Sequence, residues 1–167
     1  MFGNYSIGMI RSFDHSNWTY SRCDLKQNLR ENPPADIYDN SGTKMLTAAK
    51  VSRVWAPQII FIAGTPYIYY AVGNTDNGDC DHFYISRANE DFTGIETFQL
   101  LYGPNKQDNI LDADINFMET DQRYHTSLRD YAVGCIRDIT CTDLLHPEWD
   151  VQSSIPFTDG NAFEAPT

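Results

Sequence analysis

Basic residues and long apolar runs are scarce in this sequence. Its 167 residues include 12 Lys and Arg against 23 Asp and Glu, which gives a formal net charge of −11. A chain with this charge repels the phosphates of nucleic acids and anionic membrane surfaces, so we expect neither as a partner. No apolar run reaches the roughly 18 residues of a membrane-spanning helix. A neutral ligand such as an oligosaccharide meets no such repulsion.

Metal-binding cysteine patterns are also lacking. The four cysteines, Cys23, Cys80, Cys135 and Cys141, contain no C-x-x-C pair, and the four histidines are scattered along the chain. We therefore expect reduced structural thiols and no metal cofactor. The spacing leaves a bridge between Cys135 and Cys141 open.

Short apolar and aromatic runs bounded by Gly, Pro, Asn or Asp recur along the chain. The clearest are residues 5–10, 58–62, 67–72, 82–86 and 97–102. Their length and their β-branched and aromatic residues are typical of strands. No longer window carries the apolar stripe of a helix, whose period is about 3.6 residues. The sequence predicts an all-β fold.

Two of the strands begin similar segments and so indicate an internal repeat. Residues 55–61 (W-A-P-Q-I-I-F) align with residues 111–117 (L-D-A-D-I-N-F), 56 residues later. Residues 163–167 resemble a third start, 52 residues further on. A unit of about 50 residues with four strands is the size of a β-propeller blade.

Each unit closes with a similar tail. The three tails are residues 12–18, 86–92 and 140–149. In the first tail, we predict that Asp14 forms a turn and that Trp18 packs a blade, and we assign neither a catalytic role.

The repeats predict one partial β-propeller domain over residues 1–167, with about two complete four-stranded blades and fragments of two more. The predicted units are residues 5–20 (end of blade 1), 21–50 (a loop insertion), 54–103 (blade 2), 110–157 (blade 3) and 161–167 (start of blade 4). Within the insertion, a short helix is expected around residues 44–50.

The repeat starts resemble those of glycoside hydrolase family 43, whose members are five-bladed propellers. Residues 54–58 (V-W-A-P-Q) resemble the opening of the second blade in that family, and residues 110–115 (I-L-D-A-D-I) that of the third. Residues 163–166 (F-E-A-P) resemble the fourth-blade motif, and residues 12–18 (S-F-D-H-S-N-W) the end of the first blade. The match implies that the chain corresponds to roughly the middle half of such a propeller.

The resemblance implies an inverting glycosidase acting on xylo- or arabino-oligosaccharides from plant cell-wall polysaccharide. Glu164 then corresponds to the general acid, and Asp112 to the carboxylate that raises the pKa of this acid and orients it. Both lie on the innermost strand of a blade, so they can meet at the propeller axis. Trp55 would stack on a sugar ring, and Gln58 and Asp114 are further substrate-binding candidates.

The sequence departs from the family in one respect. The catalytic base of the family is an Asp in a D-P motif of the first blade, and no D-P dipeptide occurs here. An inverting mechanism needs that base roughly 6.5–9.5 Å from the acid. We therefore expect an incomplete active site in a single chain. Some relatives carry a central calcium ion, but the resemblance assigns no ligands for it in this chain.

Each site residue has a structural alternative. Asp112 and Asp114 would point the same way on a regular strand, and either would cap a turn or pair with an arginine. Trp55 would pack in the core. Glu164 would be a solvated carboxylate.

Two other functions compete with hydrolysis. One is a non-catalytic carbohydrate-binding or structural propeller fragment. The two functions differ in a third carboxylate: a hydrolase needs one opposite Glu164, from Asp114 or from a partner chain, and a non-catalytic fragment lacks it. The other is a related five-bladed family that cleaves fructans or phosphorolyses mannosides, which the W-A-P-Q and E-A-P contexts fit less well.

A partial propeller also leaves blade faces and strand edges uncovered. Blades are stabilised mainly by their neighbours, and uncovered apolar faces and edges favour association. We therefore predict a homo-oligomer that completes the propeller by blade stacking or swapping.

Overall fold

Strands dominate the structure, as predicted. The computed structural model describes residues 6–31, 46–74, 80–102 and 109–156. These residues form ten β-strands and one α-helix, and every strand pair is antiparallel. The all-β prediction is confirmed.

The strands of the described residues form three separate sheets. Sheet 1 contains β1 (Ser6–Arg11) and β2 (Thr19–Asp24). Sheet 2 contains, in spatial order, β3 (Val51–Ile62), β4 (Thr65–Asn74), β5 (Cys80–Arg87) and β6 (Gln99–Tyr102). Sheet 3 contains β7 (Ile110–Met118), β8 (Arg123–Asp130), β9 (Cys135–Cys141) and β10 (Asp150–Pro156). Consecutive strands are always neighbours, so each sheet is a simple meander.

The two four-stranded sheets span residues 51–102 and 110–156, whereas the predicted insertion over residues 21–50 differs from expectation. There β2 continues to Asp24, and helix α1 (Leu25–Glu31) follows at once. The Asp24 side chain accepts a hydrogen bond from the backbone N–H of Gln27 (3.0 Å), which caps the helix. Leu25 and Leu29, one turn apart, are buried, so packing stabilises a helix too short to be stable alone.

The short helix expected around residues 44–50 is absent from the part of that range that the structure describes, residues 46–50. The carbonyl of Thr47 accepts hydrogen bonds from the backbone N–H groups of Lys50 and Val51 (3.0 and 3.3 Å). These bonds form a single turn that leads directly into β3. Residues 161–167, the predicted start of blade 4, lie outside the described residues.

The two middle strands of sheet 2, β4 and β5, are buried on both faces. Successive side chains of a strand point to opposite faces. Ile68 and Tyr70 of β4 accordingly pack in a core shared with sheet 1 and α1, whereas Tyr69 and Ala71 pack in a second core shared with sheet 3. Sheets 1, 2 and 3 therefore stack in chain order around two apolar layers.

Sheet 3 has an outer face, the one that points away from sheet 2. This face is polar where the corresponding face of sheet 2 is apolar. Ser127 and Asp138 pair across β8 and β9 as Tyr69 and Ile85 pair across β4 and β5. Asp138 accepts hydrogen bonds from the hydroxyls of Ser127 (2.6 Å) and Ser153 (2.7 Å), which lower the pKa of its carboxyl.

Candidate functional site

The first strand of each four-stranded sheet carries the same irregularity. Between Trp55 and Gln58, β3 advances three residues while its partner β4 advances two. Between Leu111 and Asp114, β7 does the same against β8. One extra residue in one strand is a β-bulge, which bends the strand and redirects its side chains. The two bulges lie 56 residues apart, which is the offset of the sequence repeat.

Each bulge contains a residue in the left-handed backbone region. Ala56 has a φ of 41° and Asp112 a φ of 50°. This region is unfavourable for residues other than glycine, and such strain is concentrated at functional sites in proteins. Asp112, predicted from the sequence as a site residue, is thus held in a special conformation by its strand pairing.

The Asp112 carboxylate pairs with a buried arginine that the sequence interpretation missed. The Nη1 group of Arg129 donates a hydrogen bond to Oδ2 of Asp112 (3.2 Å), and the two side chains are 5% and 26% exposed. The same Nη1 donates to the hydroxyl of Tyr131 (3.0 Å). A guanidinium cannot lose its proton in a protein, so its buried charge requires a carboxylate. Pairing with an arginine, one of the alternatives for Asp112, is therefore observed.

One edge of the Arg129 guanidinium has no hydrogen-bond partner among the described residues. Its Nε and Nη2 atoms are both buried, and neither is paired within that part of the chain. Leaving a buried donor unpaired costs free energy. The sequence signal was present: an arginine at an alternating position of a strand, in a chain with few basic residues.

A buried tyrosine hydroxyl connects the two bulges. Tyr69 donates a hydrogen bond to Oε1 of Gln58 and accepts one from the backbone N–H of Ile115 (3.3 Å). Burial, with a contribution from the nearby charge of Asp114, raises the pKa of Tyr69 to about 12. Gln58 and Asp114, both predicted substrate-binding residues, therefore lie near one fixed hydroxyl. The carboxylate of Asp114 also accepts a hydrogen bond from the side chain of Asn116 (2.8 Å).

Asp112 and Asp114 do not behave as neighbours on a regular strand. The sequence interpretation expected both to point the same way because they flank one residue. The bulge interrupts the alternation between them, and each carboxylate has its own partner, Arg129 or Asn116. The two carboxylates are therefore fixed independently.

Trp55 is a surface residue. Its side chain is 47% exposed, and Cζ of Arg53 lies 5.8 Å from the centre of its ring. The alternative in which Trp55 packs in the core is therefore wrong. An exposed indole offers apolar area on which a sugar ring can stack.

The tails of the three units form similar turns. In each tail an aspartate carboxylate accepts a hydrogen bond from the backbone N–H two residues later, as in an Asx turn. The pairs are Asp14 and Ser16 (2.9 Å), Asp91 and Thr93 (3.1 Å), and Asp143 and Leu145 (2.8 Å). The backbone N–H groups of Asn17 and Ser16 lower the pKa of Asp14. The predicted turn role of Asp14 is confirmed.

The apolar cavity nearest to the candidate site lies between sheet 1 and the β3 bulge. Its volume is about 220 Å³, and Met9, Ile10, Pro57 and Gln58 contribute to its lining. A larger groove of about 620 Å³ lies at the β3–β4 turn, lined by Thr65, Arg87 and Glu96 among others, none of them a bulge residue. The smaller cavity thus borders the β3 bulge on the side of sheet 1.

The described cysteines are unbridged thiols. Cys23, Cys135 and Cys141 are buried and unbridged, so the alternative of a Cys135–Cys141 disulfide is wrong. Burial raises the pKa values of Cys23 and Cys141 to about 11. Within the described residues, no cluster of three or more His, Cys, Asp or Glu could hold a metal ion. No helix in the same residues is long and apolar enough to cross a membrane.

Glu164, the predicted general acid, lies outside the described residues, so the structure brings together only part of the predicted site. Comparison with known proteins adds no relatives: no protein-family model matches the chain, and no curated protein matches it. The functional interpretation therefore depends on the repeat and on the local geometry of the two bulges.

Proposed function

We propose that the chain is part of a five-bladed β-propeller of the glycoside hydrolase family 43 type. It takes part in the inverting hydrolysis of xylo- or arabino-oligosaccharides, with an active site that a single chain leaves incomplete. The observation that carries the proposal is the shared bulge: the family motif aligns Asp112 with Ala56, and both have a positive φ at the same point of their strands. Glu164 occupies the same place in the third repeat start.

In this proposal the residues around Asp112 prepare a general acid. The hydrogen bond from Arg129 fixes the orientation of the Asp112 carboxylate. A fixed negative charge beside a second carboxyl favours the protonated form of that carboxyl, which is the form that Glu164 needs to protonate a leaving oxygen. Trp55 stacks on a sugar ring, and Gln58 and Asp114 donate or accept hydrogen bonds at its hydroxyls. The base that activates water comes from outside the single chain.

The proposal is tested by nitrophenol release from aryl β-xyloside and aryl α-arabinofuranoside, on protein separated by size. Glu164→Ala is the test variant. Glu148→Ala, at an exposed position in the third tail, is the matched control. Activity in an oligomeric fraction that is lost in Glu164→Ala and retained in Glu148→Ala supports the proposal. Folded protein without activity in any fraction contradicts the hydrolase assignment for this chain.

The second candidate is a non-catalytic carbohydrate-binding or structural fragment. The observation that favours it is the use of Asp112 as the counter-charge of a buried arginine, which gives this carboxylate a structural reason to exist. Titration with xylotriose and arabinotriose, followed by tryptophan fluorescence, separates the binding and structural forms. Saturable binding without turnover, weakened by Trp55→Ala, supports a binding module, and no binding supports a purely structural role.

A further inference from the structure

A tryptophan in the tail of the third unit attaches sheet 3 to sheet 2. The indole N–H of Trp149 donates a hydrogen bond to the carbonyl of Leu101 on β6 (2.8 Å). Its ring also packs edge-on against Tyr102, with ring centres 6.3 Å apart. The carbonyl of Leu145, in the same tail, accepts a hydrogen bond from the side chain of Gln99. The tail of one unit thus binds the fourth strand of the preceding sheet.

Trp18 occupies the matching position in the tail of sheet 1 but has nothing to bind. It follows the turn at Asp14 as Trp149 follows the turn at Asp143. Its side chain is 61% exposed, and it has no hydrogen-bond or ring partner in the described part of the chain. Within the described part of one chain, Trp18 therefore does not have the packing role predicted for it.

Three further exposed apolar residues lie close to Trp18. Ile10 and Tyr20 face each other across β1 and β2, and Phe13 begins the turn between these strands. The ring of Tyr20 lies against Gly8, where an added Cβ would come within 3.2 Å of it. We call these four exposed residues, Ile10, Phe13, Trp18 and Tyr20, the Trp18 patch.

At the opposite end of the stack, β10 pairs only with β9 among the described residues. As the fourth strand of sheet 3, β10 is the counterpart of β6, and all seven of its residues are exposed. Ile155 is 58% exposed and pairs with Ile136. The outer face also carries the ionised Asp138, whereas Arg22 stands beside Tyr20 on the outer face of sheet 1. Arg22 and Asp138 therefore supply opposite charges at the two ends.

We propose that the Trp18 patch of one copy docks on β10 and the outer face of sheet 3 of a second copy. In this head-to-tail contact, Trp18 binds β10 of the neighbour as Trp149 binds β6 within the chain. The binding partner is a second copy because Trp149 already makes the same contact between sheets 3 and 2 of one chain. Repeating this contact between two chains would continue the stack of sheets. The inference depends on the repeat and not on hydrolytic activity. Such a contact joins two different surfaces, so each dimer keeps one free Trp18 patch and one free β10 end.

Complementation between two variants tests the proposal. Trp18→Ala removes the side chain that binds the neighbour but leaves β10 intact. Ile155→Asp changes the β10 surface but leaves Trp18 intact. Sedimentation velocity over a micromolar concentration series is expected to show association of the unmodified chain and at least a tenfold weaker association of each variant, as for a central interface residue. An equimolar mixture of the variants is expected to form a one-to-one dimer, because each supplies the surface that the other lacks.

Phe61→Ala, an exposed aromatic outside the patch, is the matched control and is expected to associate normally. Circular dichroism and melting temperature confirm that each variant is folded. A chain that stays monomeric at all concentrations overturns the proposal. So does association that neither variant weakens, or a mixture of variants that does not form the dimer.

Discussion

The carboxylate of Asp112 lies 3.2 Å from Nη1 of Arg129, whose side chain is 95% buried on the strand opposite the β7 bulge. The pair gives a proposed site residue a second role, because Asp112 also neutralises a charge that cannot be removed by proton loss. Any experiment that replaces Asp112 therefore changes stability as well as chemistry.

We expect Asp112→Ala to reduce the free energy of unfolding by about 1–3 kcal/mol, because it leaves the buried charge of Arg129 unpaired. Arg129→Met, which removes this charge, is expected to recover part of the loss when combined with Asp112→Ala. Urea denaturation of the two single variants and the double variant measures the coupling. Strictly additive losses would mean that the pair does not contribute to stability.

We expect Tyr69→Phe to reduce the free energy of unfolding by about 1–2 kcal/mol, because it leaves the backbone N–H of Ile115 and the amide of Gln58 without their partner. Tyr124→Phe removes a hydroxyl from the same core, one for which the structure records no hydrogen bond, and serves as the control. Thermal and urea unfolding of both variants provide the comparison. Equal effects of the two substitutions would contradict a specific role for the Tyr69 hydroxyl.

The stability that Asp138 contributes depends on pH. Hydrogen bonds from Ser127 and Ser153 lower its pKa below the ordinary value of 3.8. A depressed pKa in the folded state gives stability that is present above pH 3.8 and is lost as the pH falls through the folded-state pKa. We therefore expect the difference in unfolding free energy between the unmodified chain and Asp138→Asn to be largest near neutral pH and to shrink in acid.

Urea denaturation at neutral and acid pH checks this expectation. Asp150→Asn is a useful control, since Asp150 is exposed and pairs with Arg123 at the edge of the same sheet. A difference between Asp138→Asn and the unmodified chain that stays constant as the pH falls would contradict the assigned role of the two serines.

The β3–β4 hairpin offers a stabilising substitution. Ile62 pairs with Thr65, so Ala63 and Gly64 form a two-residue loop, and both have positive φ (49° and 78°). This is the geometry of a type I′ turn, which strongly prefers Asn-Gly. We expect Ala63→Asn to stabilise the chain by about 0.5 kcal/mol and Gly64→Ala to destabilise it by about 1 kcal/mol. Melting temperatures that move in the opposite directions would contradict this turn assignment.

Local sequence features predicted much of this fold correctly. Strand periodicity and turn residues act over a few neighbours, so the all-β class and the two four-stranded units could be identified from the sequence. Both bulges lie inside the two segments that align in the sequence, residues 55–61 and 111–117, although the alignment did not indicate that these segments contain bulges. The turn at Asp14 was predictable for the same reason, because an Asx turn forms between residues two apart.

Helix α1 was not predicted because its stability comes from elsewhere in the chain. Seven residues with only Leu25 and Leu29 on one face give a weak helical signal. The helix persists because these two side chains are buried against residues of sheets 1 and 2 that are distant in sequence. The predicted helix around residues 44–50 failed for the opposite reason, since nothing in the described part of that range stabilises more than one turn.

The residue types along each strand, their alternation and the repeat are properties of the chain, and they determined the strand content and the order of the units. Which side chains meet was decided only by the register between strands. One extra residue in β7 breaks the alternation that would have placed Asp112 and Asp114 on the same face of the strand. Asp112 lies beside Arg129 instead. The polar outer face of sheet 3 was likewise hidden in the sequence, because Ser127, Asp138 and Ser153 lie on three different strands. They form one network only after β8, β9 and β10 have paired.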